Sequence, residues 1–578
     1  MTPTRVSSTA AALLLLLALS VVGGCGGNGA GASAGGDRQV NPGGELTAAI
    51  RDDPRTFNPY IGRNTNILEI ITRLVHAPLV RINRTTGELE PWLAERWTES
   101  DDGLTWTLAL RKDVKFSDGA PFTSADVLFA LSAVYDPRAV SPIGDALLVN
   151  GRRIEATAPD PFTVLMKLPA RRGGGVQVLD ALPILPRHKL EAALRAGNLK
   201  EQWTLATAPS EIVGLGPFRV AAYQPSERIL LERNPHYWRR DAHGAVLPYL
   251  DRLTLAIVRD QNTEVLRIQN GQVDISAREI RPEDYVALKR DEEQGRVKLV
   301  DAGIGLDSNM LWFNLSPRAY AGDPRKPWLQ SEDFRKAISY AVDRKTLADQ
   351  VYRGAAVPVY GPVTPGNKAW YSASAPQYPH DPERARALLT GLGMKDGNGD
   401  GVLDDRNGRP VRFSILSQQQ DTIRMRTLAI LQEHLRRIGI AVDVAGVDAG
   451  MIVQRWGAGQ YDAIYFGVEA TSYDPADNLD FWLSSGSFHL WNAEQESPST
   501  EWERRIDELM HRQALATDMA ERRRLFTEVQ QILGEHLPVI CFAAPRLIVA
   551  MTPRVMNVAP VPLKPVVLWS ADTLAVSR

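Results

Sequence analysis

Residues Trp106 to Tyr135 read WTLALRKDVKFSDGAPFTSADVLFALSAVY, a succession that encodes a strand, a tight turn and a helix. Trp106, Leu108 and Leu110 alternate with Thr107, Ala109 and Arg111, the period-2 pattern of a half-buried strand. Ser117-Asp118-Gly119 carries turn chemistry: short polar side chains, then a residue free to take positive φ. Thr123, followed three residues later by Asp126, forms an aspartate variant of the capping box. Val127, Ala130, Leu131 and Val134 then fall on one helical face. These signals predict local structure and leave function open.

The chain around this stretch has 578 residues, more than one core supports, so at least two lobes are expected. A formal net charge of −2 gives no reason to invoke nucleic acid as a partner. With only two cysteines, Cys25 and Cys541, a disulfide framework and a thiolate metal cluster are both excluded.

Residues 1–24 have the pattern of a signal peptide. Arg5 is the lone positive charge, and Ala10 to Val22 is an apolar run broken by Ser20. The run is shorter than the roughly 20 residues of a membrane-spanning helix but suits a signal-peptide core. Val22-Gly23-Gly24-Cys25 follows and resembles a bacterial lipobox, which implies lipidation of Cys25 and a membrane anchor. Residues 25–44 are then a tether of mostly Gly, Ala, Ser and Asn, too poor in apolar surface to fold. The string Gly31-Ala32-Ser33-Ala34-Gly35 inside it matches G-x-S-x-G, but a nucleophile elbow needs a strand before it and a helix after it.

From Val114 to Val127, VKFSDGAPFTSADV resembles the most recognisable segment of the extracytoplasmic solute-binding proteins of the peptide/nickel class, receptors that feed ABC importers. Further segments resemble the same family in the same order. They are Pro91 to Trp97, Gly214-Leu215-Gly216-Pro217-Phe218, Arg233 to Trp238, Gly271 to Asp274, and Asp333 to Arg344 with its stripe of Phe334, Ala337, Ile338 and Ala341. Asp343-Arg344 is expected to end that helix as a structural ion pair. Gly-x-Gly-Pro reads as a backbone bend.

The resemblance implies an α/β fold of the large two-lobed periplasmic-binding-protein type (type II) with an accessory subdomain and two crossovers at the hinge. Lobe I would comprise residues 45–260 and 541–578, with the subdomain at 80–205, and lobe II residues 261–540. It also implies a monomer without catalytic function that captures a peptide or peptide-like solute and delivers it to an ABC permease. Two other readings stand beside it. One is a surface lipoprotein of the same fold acting as adhesin or chaperone. The other is a lipoprotein hydrolase, against which stand nine dispersed histidines and no H-E-x-x-H.

The loop Gly467 to Pro475 falls where relatives write G-W-x-A-D-Y-x-D-P, whose Asp takes a peptide's ammonium group in peptide-binding members. Here Val468, Thr471 and Ser472 replace the Trp, Asp and Tyr, while Asp474-Pro475 remains. A neutral Thr471 cannot compensate a buried ammonium. Ordinary peptides are therefore expected not to bind through a free N-terminus, unless Glu469 supplies the carboxylate. Gly467, Val468, Glu469, Thr471 and Tyr473 are the candidates from this loop. Asn64, Thr65, His489 and Trp491 are further candidates for the cleft wall, with packing the alternative for Trp491.

No cofactor is implied, but Asp396, Asn398 and Asp400 occupy positions 1, 3 and 5 of a loop with glycine at 6, the way a calcium loop begins. Asp404 adds an oxygen, but Asn407 stands at position 12 in place of a bidentate Glu. A glycine-rich acidic turn accounts for the same residues.

Overall fold

A computed structural model of the chain describes residues 42–61, 66–470 and 472–577. The opening stretch folds as its pattern predicts. The strand Thr105–Leu110 buries every second residue, beginning at Trp106. Gly119 turns the chain at φ 89°, and the Asp126 carboxylate accepts from the Thr123 N–H at 2.9 Å to cap the helix Ser124–Val134. That helix is buried beyond the single stripe, for Phe129 and Ala133 are covered as well. The strand lies in a four-stranded antiparallel sheet, ordered 94–99, 105–110, 163–167 and 155–160.

A larger sheet holds, in spatial order, strands Lys298–Ile304, Ala543–Met551, Ile275–Ser276, Glu45–Ile50, Arg252–Ile257, Arg228–Arg233 and Phe218–Gln224, with Ala356–Pro358 added to Ala543–Met551. Glu45–Ile50 runs parallel to both of its neighbours. A second sheet is ordered Ala441–Val447, Arg412–Gln418, Ala463–Gly467, Asn309–Phe313 and Val539–Cys541. Both its faces are covered. Leu311, Phe313, Phe413 and Ile415 enter one core, while Met310, Trp312, Leu416 and Ile464 enter the other. This explains why the sequence Met310-Leu311-Trp312-Phe313 is continuously apolar instead of alternating.

The chain leaves the large sheet at Gly305–Ser308, returns to it for Ala356–Pro358, and passes back to it from the second sheet at Phe542. Helices Gln261–Gln269 and Pro282–Glu293 cover the outer face of the large sheet through Ile268 and Leu288, which pack with Ala49, Ala256 and Ala550. Burial of that face keeps residues 261–304 with the first sheet.

One local expectation changes. Arg344 and Asp343 form no ion pair. Arg344 turns inward, is 3% exposed, and donates to the carbonyls of Ser339, Val359, Tyr378 and Cys541. Burial lowers its pKa to about 10. Asp343 instead caps the next helix, Arg344–Val351, by accepting from the Lys345 and Thr346 N–H groups. Gly214 and Gly216 matter for space: a Cβ would meet the Val75 carbonyl oxygen at 1.9 Å and that of Leu74 at 2.5 Å, respectively. Cys541 is fully buried, and burial pushes its thiol up to about 12, so it packs as an inert side chain.

Candidate binding cleft

A cavity of about 1240 Å³ opens between the parts built on the two sheets. It exceeds the roughly 300–1,000 Å³ of sites for drug-sized ligands. One wall comes from helix Asn66–Val75, the turn at Arg84 to Glu88, the segment Arg172 to Asp180 and the tail at Pro560 to Lys564. The other comes from Pro365 to Trp370, from Glu469 and Ala470, and from residues between Ser472 and Asp480.

The first wall carries a charge cluster that balances itself. Arg73 grips both oxygens of Asp180 at 2.8 and 2.7 Å and donates to Glu69 at 2.9 Å. Burial raises the Asp180 carboxyl, but Arg73 and Arg84 more than offset it and leave its pKa low. Arg84 donates to Glu69 at 3.0 Å and to the Lys564 carbonyl, and burial, with Arg73 beside it, lowers its pKa to about 10. Two arginines and two carboxylates thus cancel within this cluster, which offers a solute polarity without net charge.

Asp474 joins the two walls. Arg522 of the helix Met519–His536 holds its two oxygens at 2.7 and 2.8 Å, and Gln177 from the opposite wall donates to it at 2.9 Å. Arg172 reaches Asp477 at 3.3 Å, and the Gly173 N–H donates to the Ala514 carbonyl at 2.6 Å. Burial raises the Asp477 carboxyl, with Asp474 adding to the effect.

At the far end, Lys564 pairs with Glu469 and lies 3.9 Å from Asp307, and Arg278 lies 3.8 Å from Glu469. Burial raises the Glu469 carboxyl, but Lys564 and Arg278 bring it below its ordinary value. Asp307 sits on the Gly305–Ser308 passage; burial pushes its carboxyl up to about 6, Lys564 and the Ala470 N–H opposing.

Of the sequence candidates, Glu469 and Tyr473 line the cavity. The Tyr473 carbonyl accepts from Asn367 at 2.8 Å. Gly467 ends the strand Ala463–Gly467 beside Asn309, and Val468 packs on the core behind it. His489 and Trp491, each 1% exposed, belong to the core: both ring nitrogens meet the Glu503 carboxylate, His489 at 3.2 Å and Trp491 at 3.1 Å. Cys25, Asn64, Thr65 and Thr471 lie outside the described residues. Lys564, Asp307, Gln177 and Arg522 went unnoticed in the sequence, where no periodicity or motif marks them.

The acidic turn keeps to itself. The Asp396 oxygens accept from the Gly399 and Gly401 N–H groups at 2.7 and 3.0 Å, which lowers its pKa. Asp400 accepts from Asn398 and Val402, and Asp404 from Gly397. Among the described residues, no group of three or more His, Cys, Asp or Glu is disposed to hold a metal.

Comparison with known proteins places this geometry. The model of bacterial extracellular solute-binding proteins, family 5 middle, matches residues 88–489. A probable ABC transporter-binding protein of Deinococcus radiodurans is 26% identical over 542 residues, 90% of each chain. A periplasmic alpha-galactoside-binding protein of Rhizobium meliloti is 26% identical, covering 89% of this chain and 77% of the relative. The solved structure of the oligopeptide-binding protein AppA of Bacillus subtilis, in complex with a nonapeptide, superposes with a TM-score of 0.70 at 24% identity over 93% of this chain and 100% of that one. At that identity the likeness shows the shared fold.

Proposed function

We propose a peptide-like solute as the cargo of this chain, which belongs to the bacterial extracellular solute-binding proteins, family 5. It is a substrate-binding receptor of an ABC importer with the two-lobed type II periplasmic-binding-protein fold. In this reading, the lobes close on the solute about the passages at Gly305–Ser308 and Phe542, exclude water, and strengthen the few polar contacts that orient it. The loaded form then docks on a membrane permease, held near it by lipid on Cys25.

One observation carries the peptide reading. The end of the strand Lys298–Ile304 opens on the cavity through Ala302, Gly303 and Ile304. This strand is the edge of its sheet, paired with Ala543–Met551 on one side only. An edge strand can recruit an extended chain by strand addition; here the Gly303 N–H is held by the Asp301 carboxylate at 2.7 Å, so a solute strand would have to displace that contact. The self-neutralised cluster at Arg73 and Asp180 suits a ligand whose polarity lies in its backbone.

Thermal unfolding with pools of di- to pentapeptides, beside pools of oligosaccharides, tests this. A ligand at 100 times its Kd stabilises the folded form by about 2.7 kcal/mol. Peptide pools are expected to raise the melting temperature and sugar pools to leave it unchanged. A response to sugars alone would refute the peptide reading.

A further inference from the structure

At the far end of the cavity three segments distant in sequence meet, Glu469 and Lys564 lining it from opposite walls and Asp307 lying 3.9 Å from Lys564. Glu469 comes from the loop after the strand Ala463–Gly467, Asp307 from the passage between the sheets, and Lys564 from the C-terminal tail. The Glu469 side chain is 64% exposed and faces the cavity, whereas that of Lys564 is 18% exposed. A solvent-facing carboxylate in a binding cavity attracts a cationic group of a solute, yet here the chain's own ammonium already occupies it. Lys564 is held in place from behind: its backbone carbonyl accepts from the buried Arg84, which also accounts for Leu563, and Leu563 and Pro565 on either side are buried.

The charges around this point are nearly matched. Glu469, Asp307 and Glu279 are negative, and Lys564 and Arg278 are positive, with Arg278 3.8 Å from both Glu469 and Glu279. Without Lys564, Glu469 would keep Arg278 at 3.8 Å and the field of Arg424, while Asp307 would lose the ammonium 3.9 Å from it. With Lys564 in place, a second ammonium arriving from a solute would meet a cation and displace a formed pair. An ammonium has three donors and no acceptor, and Glu469 takes one of them. At this end a solute meets ammonium N–H groups still able to donate, beside a Glu469 carboxylate already paired with that ammonium.

We propose that Lys564 is a specificity-determining residue, an internal ammonium that closes this end of the cavity to solutes presenting a free α-ammonium and selects those presenting a carbonyl or other oxygen acceptor, such as N-acylated peptides. The inference rests on the peptide reading above for its solute class, but its charge logic is testable apart from it.

The test uses the mature chain and its Lys564→Met variant, with Glu469→Gln as a second variant that keeps the lysine. Calorimetry is run near pH 6.5, where a free α-amino group is protonated, with matched tetrapeptide pools, free or N-acetylated. The wild type is expected to bind acetylated peptides at least tenfold tighter, and Lys564→Met to reverse that preference. In parallel, melting temperatures are measured with butylammonium chloride against sodium chloride at equal ionic strength. Butylammonium should restore several degrees to Lys564→Met by filling the vacated place, and leave both the wild type and the Lys564→Met/Glu469→Gln double variant unmoved. Wild-type binding of free peptides as tight as or tighter than acetylated ones overturns the inference and leaves the receptor reading standing. Failure of butylammonium to stabilise Lys564→Met also overturns it. Butylammonium rescue in a protein that binds neither peptide pool upholds the role of Lys564 and refutes the peptide reading.

Discussion

Replacing Asp474 by Asn removes one charge from the most heavily bonded carboxylate of the cleft. Its Oδ1 accepts from Arg522 Nη2 at 2.7 Å and the Ala476 N–H at 3.0 Å, and its Oδ2 from Arg522 Nη1 at 2.8 Å and Gln177 Nε2 at 2.9 Å. An amide offers one oxygen, so its NH₂ group would confront two of these donors. The Arg522 side chain is 0% exposed and that of Asp474 8%, so water cannot take over. Breaking a buried pair from one side costs about 3–5 kcal/mol, because the other charge stays buried without compensation. With a urea m-value at or above about 3 kcal/mol/M for a chain of this size, the denaturation midpoint falls by up to about 1.7 M. Arg522→Met should cost a similar amount. The Asp474→Asn/Arg522→Met double variant, which leaves neither charge stranded, should lose far less than the sum. Additivity within about 0.5 kcal/mol would refute the claim that these groups form one unit. Gln177→Ala, which removes only the contact from the opposite wall, should weaken solute-induced stabilisation more than stability without solute.

Three further outcomes follow from single features. Burial raises the Glu503 carboxyl, but His489, Ser499 and Trp491 together bring it down to about 2, so it contributes stability above the unfolded value of about 4.3 that is lost as pH falls towards 2. Glu503→Gln should remove that slope and cost about 3 kcal/mol at pH 7, checked by denaturation midpoints between pH 2.5 and 7. The melting temperature should be the same in 5 mM calcium and in chelator (about 5 mM of either, well above the Kd range of calcium modules), because the Asp396 oxygens already serve the Gly399 and Gly401 N–H groups. Cys25→Ala should move the protein from the membrane fraction to the soluble one and abolish the mass of an attached lipid; an unchanged distribution would reject the lipobox reading.

Local chemistry was legible in the amino-acid order. The strand Thr105–Leu110, the turn at Gly119 and the Asp126 cap lie within 30 residues of one another, and neighbours along the chain decide each of them, so period and capping suffice. The continuous run Met310 to Phe313 took its meaning from the structure, which covers that strand on both faces. The order of such segments carried the family, and with it the fold. Side-chain partners followed only from tertiary structure. Asp343 and Arg344 are adjacent and opposite in charge, yet one caps a helix and the other turns inward to four carbonyls, because a buried guanidinium has more donors than one carboxylate can satisfy. His489 and Trp491 stand near the cleft loop in sequence, but the Glu503 carboxylate at the start of the helix Glu501–Leu515 draws both into the core. The cavity itself joins Gln177 to Asp474 across 297 positions and Lys564 to Glu469 across 95. Contacts over such separations leave no periodic trace in the chain, since they depend on how whole sheets come together and not on the residues beside them.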